Sequence, residues 1–170
     1  MKLLSYLLLL TLCFNSLTAS PVTTTENETI ETLLLKQIDE ERLAYQLYTK
    51  LSEIHPEMTI YKNIIAAEKR HFSVLVDYAR ETYPNLETGR LEGPFLNNEN
   101  RRLYHRWLAK GKVSKKNAAQ VGVDLEEMDI KDIEYFLSLE PEPELATILE
   151  NLKQASKKHL GAFRRQKTRN

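Results

Sequence analysis

The sequence predicts an all-α protein: a four-helix bundle with a long loop and a short extra helix between helices 2 and 3. Three observations carry this. Glycine is scarce, with 5 in 170 residues, and no run alternates apolar and polar residues as a half-buried strand would. Apolar residues recur at three- and four-residue steps along four long stretches. Pro56, Pro84, Pro141 and Pro143 fall between those stretches and separate them.

The N-terminus stands apart from the bundle. Lys2 is followed by the apolar run Leu3 to Phe14 and the small polar segment Ser16-Leu17-Thr18-Ala19-Ser20. That order is a secretory signal peptide, expected over residues 1–19 with cleavage near Ala19. Residues 20–29 read as a polar, disordered leader, and residues 30–167 as the bundle. Asn27-Glu28-Thr29 is a glycosylation sequon. The mature chain is expected to be secreted, periplasmic or extracellular. No other stretch is apolar enough to span a bilayer, so no membrane association is expected after signal removal.

Composition narrows the class further. The only cysteine, Cys13, lies in the signal, so no disulfide staples the mature chain. A core of about 150 residues has to hold it, which is an adequate size. The 24 basic residues less Lys2 leave 23 against 24 acidic ones. That balance argues against nucleic acid as a partner.

The first helix is expected over about Ile30 to Ile54. Its inward stripe is Leu34, Ile38, Glu41, Ala44, Tyr45, Tyr48 and Leu51, widened by Leu43, Leu47 and Ile54. Glu40 and Arg42 fall off that stripe. His55, before Pro56, reads as exposed. The second helix, about Thr59 to Thr82, carries Ile64, Ala67, Val74, Leu75 and Tyr78 and is closed by Pro84. Residues 84–100 form a long loop rich in proline, glycine and asparagine, better read as a connector than as a lid.

A short helix, about Glu99 to Lys110, turns Leu103, Tyr104, Trp107 and Leu108 inward; Gly111 ends it. His105 reads as surface. Ser114 is the expected N-cap of the third long helix, about Lys115 to Leu139. The stripe Glu126, Ile130, Ile133, Leu137 sets that helix's register. It places Glu126 and Asp129 inward and Glu127 in water. The fourth long helix, about Glu144 to Lys167, carries Leu145, Ile148, Leu152, Ala155, His159 and Phe163. Its acidic start and basic end suit the helix dipole. A long link between the second and third long helices is the connectivity of ferritin-like bundles.

Chemistry enters where these stripes are interrupted. Glu68 and His71 are three residues apart, so both side chains leave one helix face together. Glu-x-x-His is the unit that bundle helices use to hold paired metal ions. Glu41, Glu126 and His159 interrupt the other stripes, with Asp129 in reserve. Unpaired carboxylates in an apolar core cost several kcal/mol each. Two divalent cations would set +4 against −3 from the three glutamates. Oxygen and imidazole donors without thiolate fit iron, manganese or zinc. Tyr48 is expected to be core, with a phenol near Glu41 as the sharper reading. No residue is assigned a catalytic role.

Glu41-Arg42-Leu43-Ala44-Tyr45-Gln46-Leu47-Tyr48 resembles the Glu-x-x-Ala-x-x-x-Tyr of rubrerythrin-type first helices. Four segments together resemble the ferritin-like family known as domain of unknown function 2202. They are Glu40 to Ala44, Ala67 to Phe72, Leu125 to Ile130 and Ala155 to Phe163. The Gly93-Pro94-Phe95-Leu96-Asn97 loop and Leu103-Tyr104 fit the same pattern, which spans about residues 30–165. The resemblance implies a ferritin-like bundle with a di-metal centre and no established reaction. One departure stands out. Where such sites carry a glutamate three residues before the last histidine, this chain has Ser156. Asp129 supplying a carboxylate, water filling the gap, or one ion binding tightly are the alternatives.

The function expected is that of an exported protein with two bound metal ions, preferably iron, with manganese or zinc as alternatives. It would act as a ferroxidase, oxidase or peroxide reductase on dioxygen or peroxide. The competing expectation, from another class, is a metal-free or zinc-stabilised helical bundle that binds a partner through the long loop and short helix.

Overall fold

A computed structural model describes residues 29–169, which are all-helical apart from their connections. The expected signal peptide and nearly all of the polar leader lie outside the described residues. Five helices follow in order: α1 (Ile30–Ile54), α2 (Ile60–Thr82), α3 (Asn98–Gly111), α4 (Lys115–Ser138) and α5 (Pro143–Arg169). None of the described helices is long and apolar enough to cross a membrane.

Local chemistry sets the ends. The Thr29 hydroxyl accepts from the Thr32 amide at 3.2 Å, and the Thr32 hydroxyl accepts from the Thr29 amide at 2.9 Å. This reciprocal cap satisfies two amides that the first turn leaves without partners. Asn97 caps α3 through Glu99 N (2.7 Å), and Ser114 caps α4 through Asn117 N (3.1 Å). Pro143 opens α5, at the position where a missing N–H costs nothing.

The long helices pack α1 on α2 and α4 on α5, and the two pairs meet along α2–α5 and α1–α4. Helix α3 lies across α1 and α4. The buried apolar side chains fall into two clusters. One gathers Leu43, Leu47, Leu51, Tyr61, Ile64, Leu125, Leu160 and Phe163. The other gathers Leu34, Ile38, Phe72, Leu75, Ile133, Phe136, Leu149 and Leu152. On every long helix the candidate residues sit between members of the two clusters. The core is thus two apolar halves around one polar layer.

Several expectations are corrected. Ile54 and Val74 are 38% and 44% exposed, so neither belongs to its stripe. Val74 sits about 100° round the helix from Leu75, which is buried. Gly111 remains helical, and its job is packing. A Cβ there would stand 2.7 Å from Leu51 Cδ2. His55 is buried, because its Nε2 reaches the Gly111 carbonyl at 2.9 Å.

Glu40 and Arg42 leave the inward stripe yet are also buried, at 3% and 0% exposure. The loop after α2 covers Arg42, whereas Glu40 faces α4, beside Lys36 and Asp132. Arg42 donates through Nε to the Arg90 carbonyl (2.9 Å), through Nη1 to that of Pro94 (3.3 Å), and through Nη2 to that of Thr88. Asp39 pairs with Arg42 and accepts from Leu96 N, Asn97 N and Asn100 Nδ2 at 3.0–3.1 Å. Gln46 Nε2 adds bonds to the Leu91 and Gly93 carbonyls, both 2.9 Å. Gly89, at φ +67°, lets the strand of loop pass close over Arg42, whose Nη2 would lie 2.9 Å from a Cβ there. The connector is an ordered strap clamped to α1.

Candidate metal centre

The polar layer draws one or two groups from each long helix. Glu41 comes from α1, Glu68 and His71 from α2, Glu126 and Asp129 from α4, and His159 from α5. The four carboxylates are at most 5% exposed. The two imidazoles lie nearest solvent, at 11% and 13% side-chain exposure. Every residue singled out in the sequence as a candidate ligand lies in this one layer.

Glu68 is the centre of the arrangement. Its Oε2 lies 2.9 Å from His71 Nδ1, and its Oε1 lies 2.9 Å from His159 Nδ1. Glu41 Oε2 flanks His71 Nδ1 at 3.3 Å, and Glu126 Oε2 flanks His159 Nδ1 at 3.7 Å. Two triads result, Glu41–Glu68–His71 and Glu68–Glu126–His159, each with its donor atoms within 4.8 Å of one another. The His71 and His159 rings stack with centroids 6.0 Å apart.

Around the triads sit groups that fix them. The Tyr48 hydroxyl donates to Glu126 Oε1 at 2.7 Å, so this buried phenol serves α4 rather than Glu41. Its ring packs on Phe163 and Tyr61, with centroids 5.1 and 5.7 Å away. Gln37 Nε2 donates to Asp129 Oδ1 at 2.7 Å and lies 3.4 Å from Glu41 Oε1. The Ser156 hydroxyl lies 2.6 Å from Asp129 Oδ2 and 3.0 Å from the Leu152 carbonyl. Asp129 therefore borders the triads without being part of either. Gln37 was legible only as a polar residue on the apolar face, four before Glu41.

Electrostatics follow from this packing. Burial and the Asp129 charge push the Glu41 carboxyl well above the usual range, against the pull of His71. Burial and Glu68 push Glu126 up to about 8. Burial would raise Glu68 as well, but the close approach of His159 and His71 overrides it and brings the group to about 2. Burial would lower both imidazoles; instead the carboxylates facing them raise His71 to about 11 and His159 to about 10. Asp129 rises to about 6, chiefly through burial. Without metal the layer is neutralised by protons, on the imidazoles and on Glu41 and Glu126.

One contact is poorly served by protons. Glu68 Oε1 and His159 Nδ1 are both buried and 2.9 Å apart, yet neither makes a hydrogen bond. The approach lies off the directions a hydrogen bond requires. A cation between the two groups would displace the proton that His159 keeps without metal and would take a lone pair from each. The donor set of carboxylate oxygens and imidazole nitrogens is what hard-to-borderline divalent ions accept.

Comparison with known proteins agrees on family and gives no activity. The profile of the family described as "Uncharacterized protein domain (DUF2202)" matches residues 30–170. The uncharacterized protein MJ0754 of Methanocaldococcus jannaschii is 31% identical over 151 residues, covering 88% of this chain and 78% of that protein. The crystal structure of the hypothetical protein MJ0754 from Methanococcus jannaschii superposes with a TM-score of 0.77 at 27% identity. That likeness covers 89% of this chain and 86% of the other.

Proposed function

The chain belongs to the DUF2202 family, and from that premise we propose a ferritin-like four-helix bundle that holds two divalent metal ions and carries out redox chemistry on dioxygen or peroxide. One observation carries the reading. Each oxygen of Glu68 faces its own imidazole at 2.9 Å, as a carboxylate spanning two cations would. Glu41 and His71 would hold one ion and Glu126 and His159 the other, with Glu68 common to both groups. Iron fits best; manganese and zinc share the donor preference. Bound iron supplies electron transfer to a small oxidant.

The protein's own groups have defined tasks. Tyr48 orients Glu126 through its 2.7 Å hydrogen bond. Without metal Glu126, at about 8, keeps its proton near neutral pH, and a bound cation would displace it. The apolar clusters on both sides keep water from the layer and strengthen each interaction inside it. The histidine edges, nearest solvent, mark the side from which a small oxidant arrives. Residues 1–19 act as an export signal, so the activity is extracytoplasmic.

The test is elemental analysis of protein expressed in iron-replete medium, followed by an aerobic ferrous oxidation assay. Two equivalents of iron and oxidation faster than in buffer are the expected results. Protein without metal, melting at the same temperature in chelator, would reduce the layer to a proton-neutralised polar core. One tight zinc without oxygen chemistry would leave a structural site only.

A further inference from the structure

Helix α2 presents Glu68 and His71 three residues apart, and α5 presents Ser156 and His159 at the same spacing. The two imidazoles stack across the layer, so Glu68 and Ser156 hold comparable places on facing helices. Ser156 is 1% exposed and too short to reach a cation shared with His159. A carboxylate nevertheless lies at its tip. Asp129 Oδ2, from α4, is 2.6 Å from the Ser156 hydroxyl.

We infer that Asp129 is the fourth metal carboxylate of this layer, delivered from α4 to the place that a longer acidic side chain at position 156 would otherwise fill. The inference rests on the two-ion reading above. Asp129 serves the ion held by Glu126 and His159, because Ser156, 2.6 Å from its Oδ2, leaves α5 on the same face as His159.

Three arguments support it. The first is charge. Two divalent cations bring +4, the three glutamates bring −3, and Asp129 makes the buried layer neutral, which removes the cost of a net charge in a low dielectric. The second is freedom to move. The Ser156 hydroxyl has one proton and a second acceptor, the Leu152 carbonyl at 3.0 Å. Gln37 has a second acceptor in Glu41. Asp129 can turn toward a cation while both partners stay hydrogen-bonded. The third is that the layer holds two buried ligand atoms, Glu68 Oε1 and His159 Nδ1, that face each other at 2.9 Å without a hydrogen bond, so its cluster of acids is more than mutual repulsion.

Cobalt(II) binding, followed by visible absorption and by equilibrium dialysis with metal quantification, tests this in the full-length mature protein. Wild type binds two equivalents. Asp129→Asn, with unchanged helical circular dichroism, keeps one and weakens the other by about tenfold or more. Asp129→Asn with Ser156→Glu regains the second equivalent, since the carboxylate now comes from α5. Asp129→Asn holding both ions at wild-type affinity overturns the inference, as does a folded double variant that regains nothing. Should Asp129→Asn fail to fold, Ser156→Ala decides. Freed from the hydroxyl, Asp129 retains both ions and the second binds more tightly; loss of that ion refutes the assignment. Wild type binding no cobalt sinks the two-ion reading itself, a result distinct from any of these.

Discussion

Glu68 Oε1 and His159 Nδ1 lie 2.9 Å apart in the buried centre of the helices without a hydrogen bond between them. The same carboxylate bonds His71 through its other oxygen. If Glu68 is common to both triads, its neutral analogue damages both, whereas a flanking glutamate damages one. Glu68→Gln is expected to weaken both cobalt equivalents, by about tenfold to a hundredfold. Glu41→Gln and Glu126→Gln should each leave one equivalent intact. Equilibrium dialysis distinguishes the patterns, and equal losses in all three variants would exclude a shared carboxylate.

The pH dependence of the metal-free protein has a definite sign. His71, at about 11, and His159, at about 10, keep in the folded state a proton that the unfolded chain loses near 6.5. Their contribution is complete below that pH and disappears as pH rises through the folded values. Glu126, at about 8, also holds a proton longer when folded, so its burial destabilises increasingly between about 4.5 and 8. Glu68, at about 2, works oppositely, and its contribution is lost only as pH falls from about 4.5 toward 2. In chelator the melting temperature should fall steadily from about pH 6 to about pH 9. Added manganese should reverse the trend, because metal displaces those protons and binds better as they leave. Melting curves at both pH values, with and without manganese, check it.

The fold was legible because each long helix repeats apolar residues at helical spacing and ends on a proline or a capping residue. The layer was legible because Glu41, Glu68, His71, Glu126 and His159 replace apolar residues in those repeats. What escaped depended on contacts between distant segments. Arg42 and Glu40 point away from the stripe, and nothing local says that a strap from residues 88–96 buries the first and that α4 buries the second. His55 beside Pro56 looks like an exposed helix end until the Gly111 carbonyl, 56 residues on, meets it. Ser156 looked like a lost ligand, and its bond to Asp129 joins two helices whose register no sequence spacing fixes.

Gly122→Ala sets two effects against each other. Alanine favours a helix over glycine by about 1 kcal/mol. Here its Cβ would stand 2.4 Å from Phe163 Cδ1, and Phe163 is wedged against Tyr48 and Tyr61. The ring has nowhere to go, and overpacking costs about 1–3 kcal/mol. A net loss of about 1 kcal/mol is expected, read as a lower urea midpoint at unchanged slope. A raised midpoint would mean that α4 and α5 are less closely packed than described.

Arg42→Met should be the most destabilising of the substitutions considered. The side chain is buried, pairs with Asp39 and donates to the carbonyls of Thr88, Arg90 and Pro94. Its guanidinium also lies 5.4 Å from the centre of the Phe72 ring, next to His71. Methionine fills part of the space but leaves Asp39 buried without its counter-charge and the carbonyls without donors. Breaking a buried pair from one side costs about 3–5 kcal/mol. Asp39→Asn should cost less, because its one amide oxygen still accepts on one side, from Asn97 N and Asn100 Nδ2, and Arg42 keeps its three strap carbonyls. The strap should loosen before the helices do, since these bonds anchor it and only partly buried side chains such as Leu91 and Phe95 pack it on the core. Limited trypsin digestion reads this directly. Exposed Arg90 should be cut in Arg42→Met under conditions where wild type stays intact and both proteins retain full helical circular dichroism. Cleavage within α1 or α2 first would show instead that Arg42 supports the helix pair and that the strap merely rests on it.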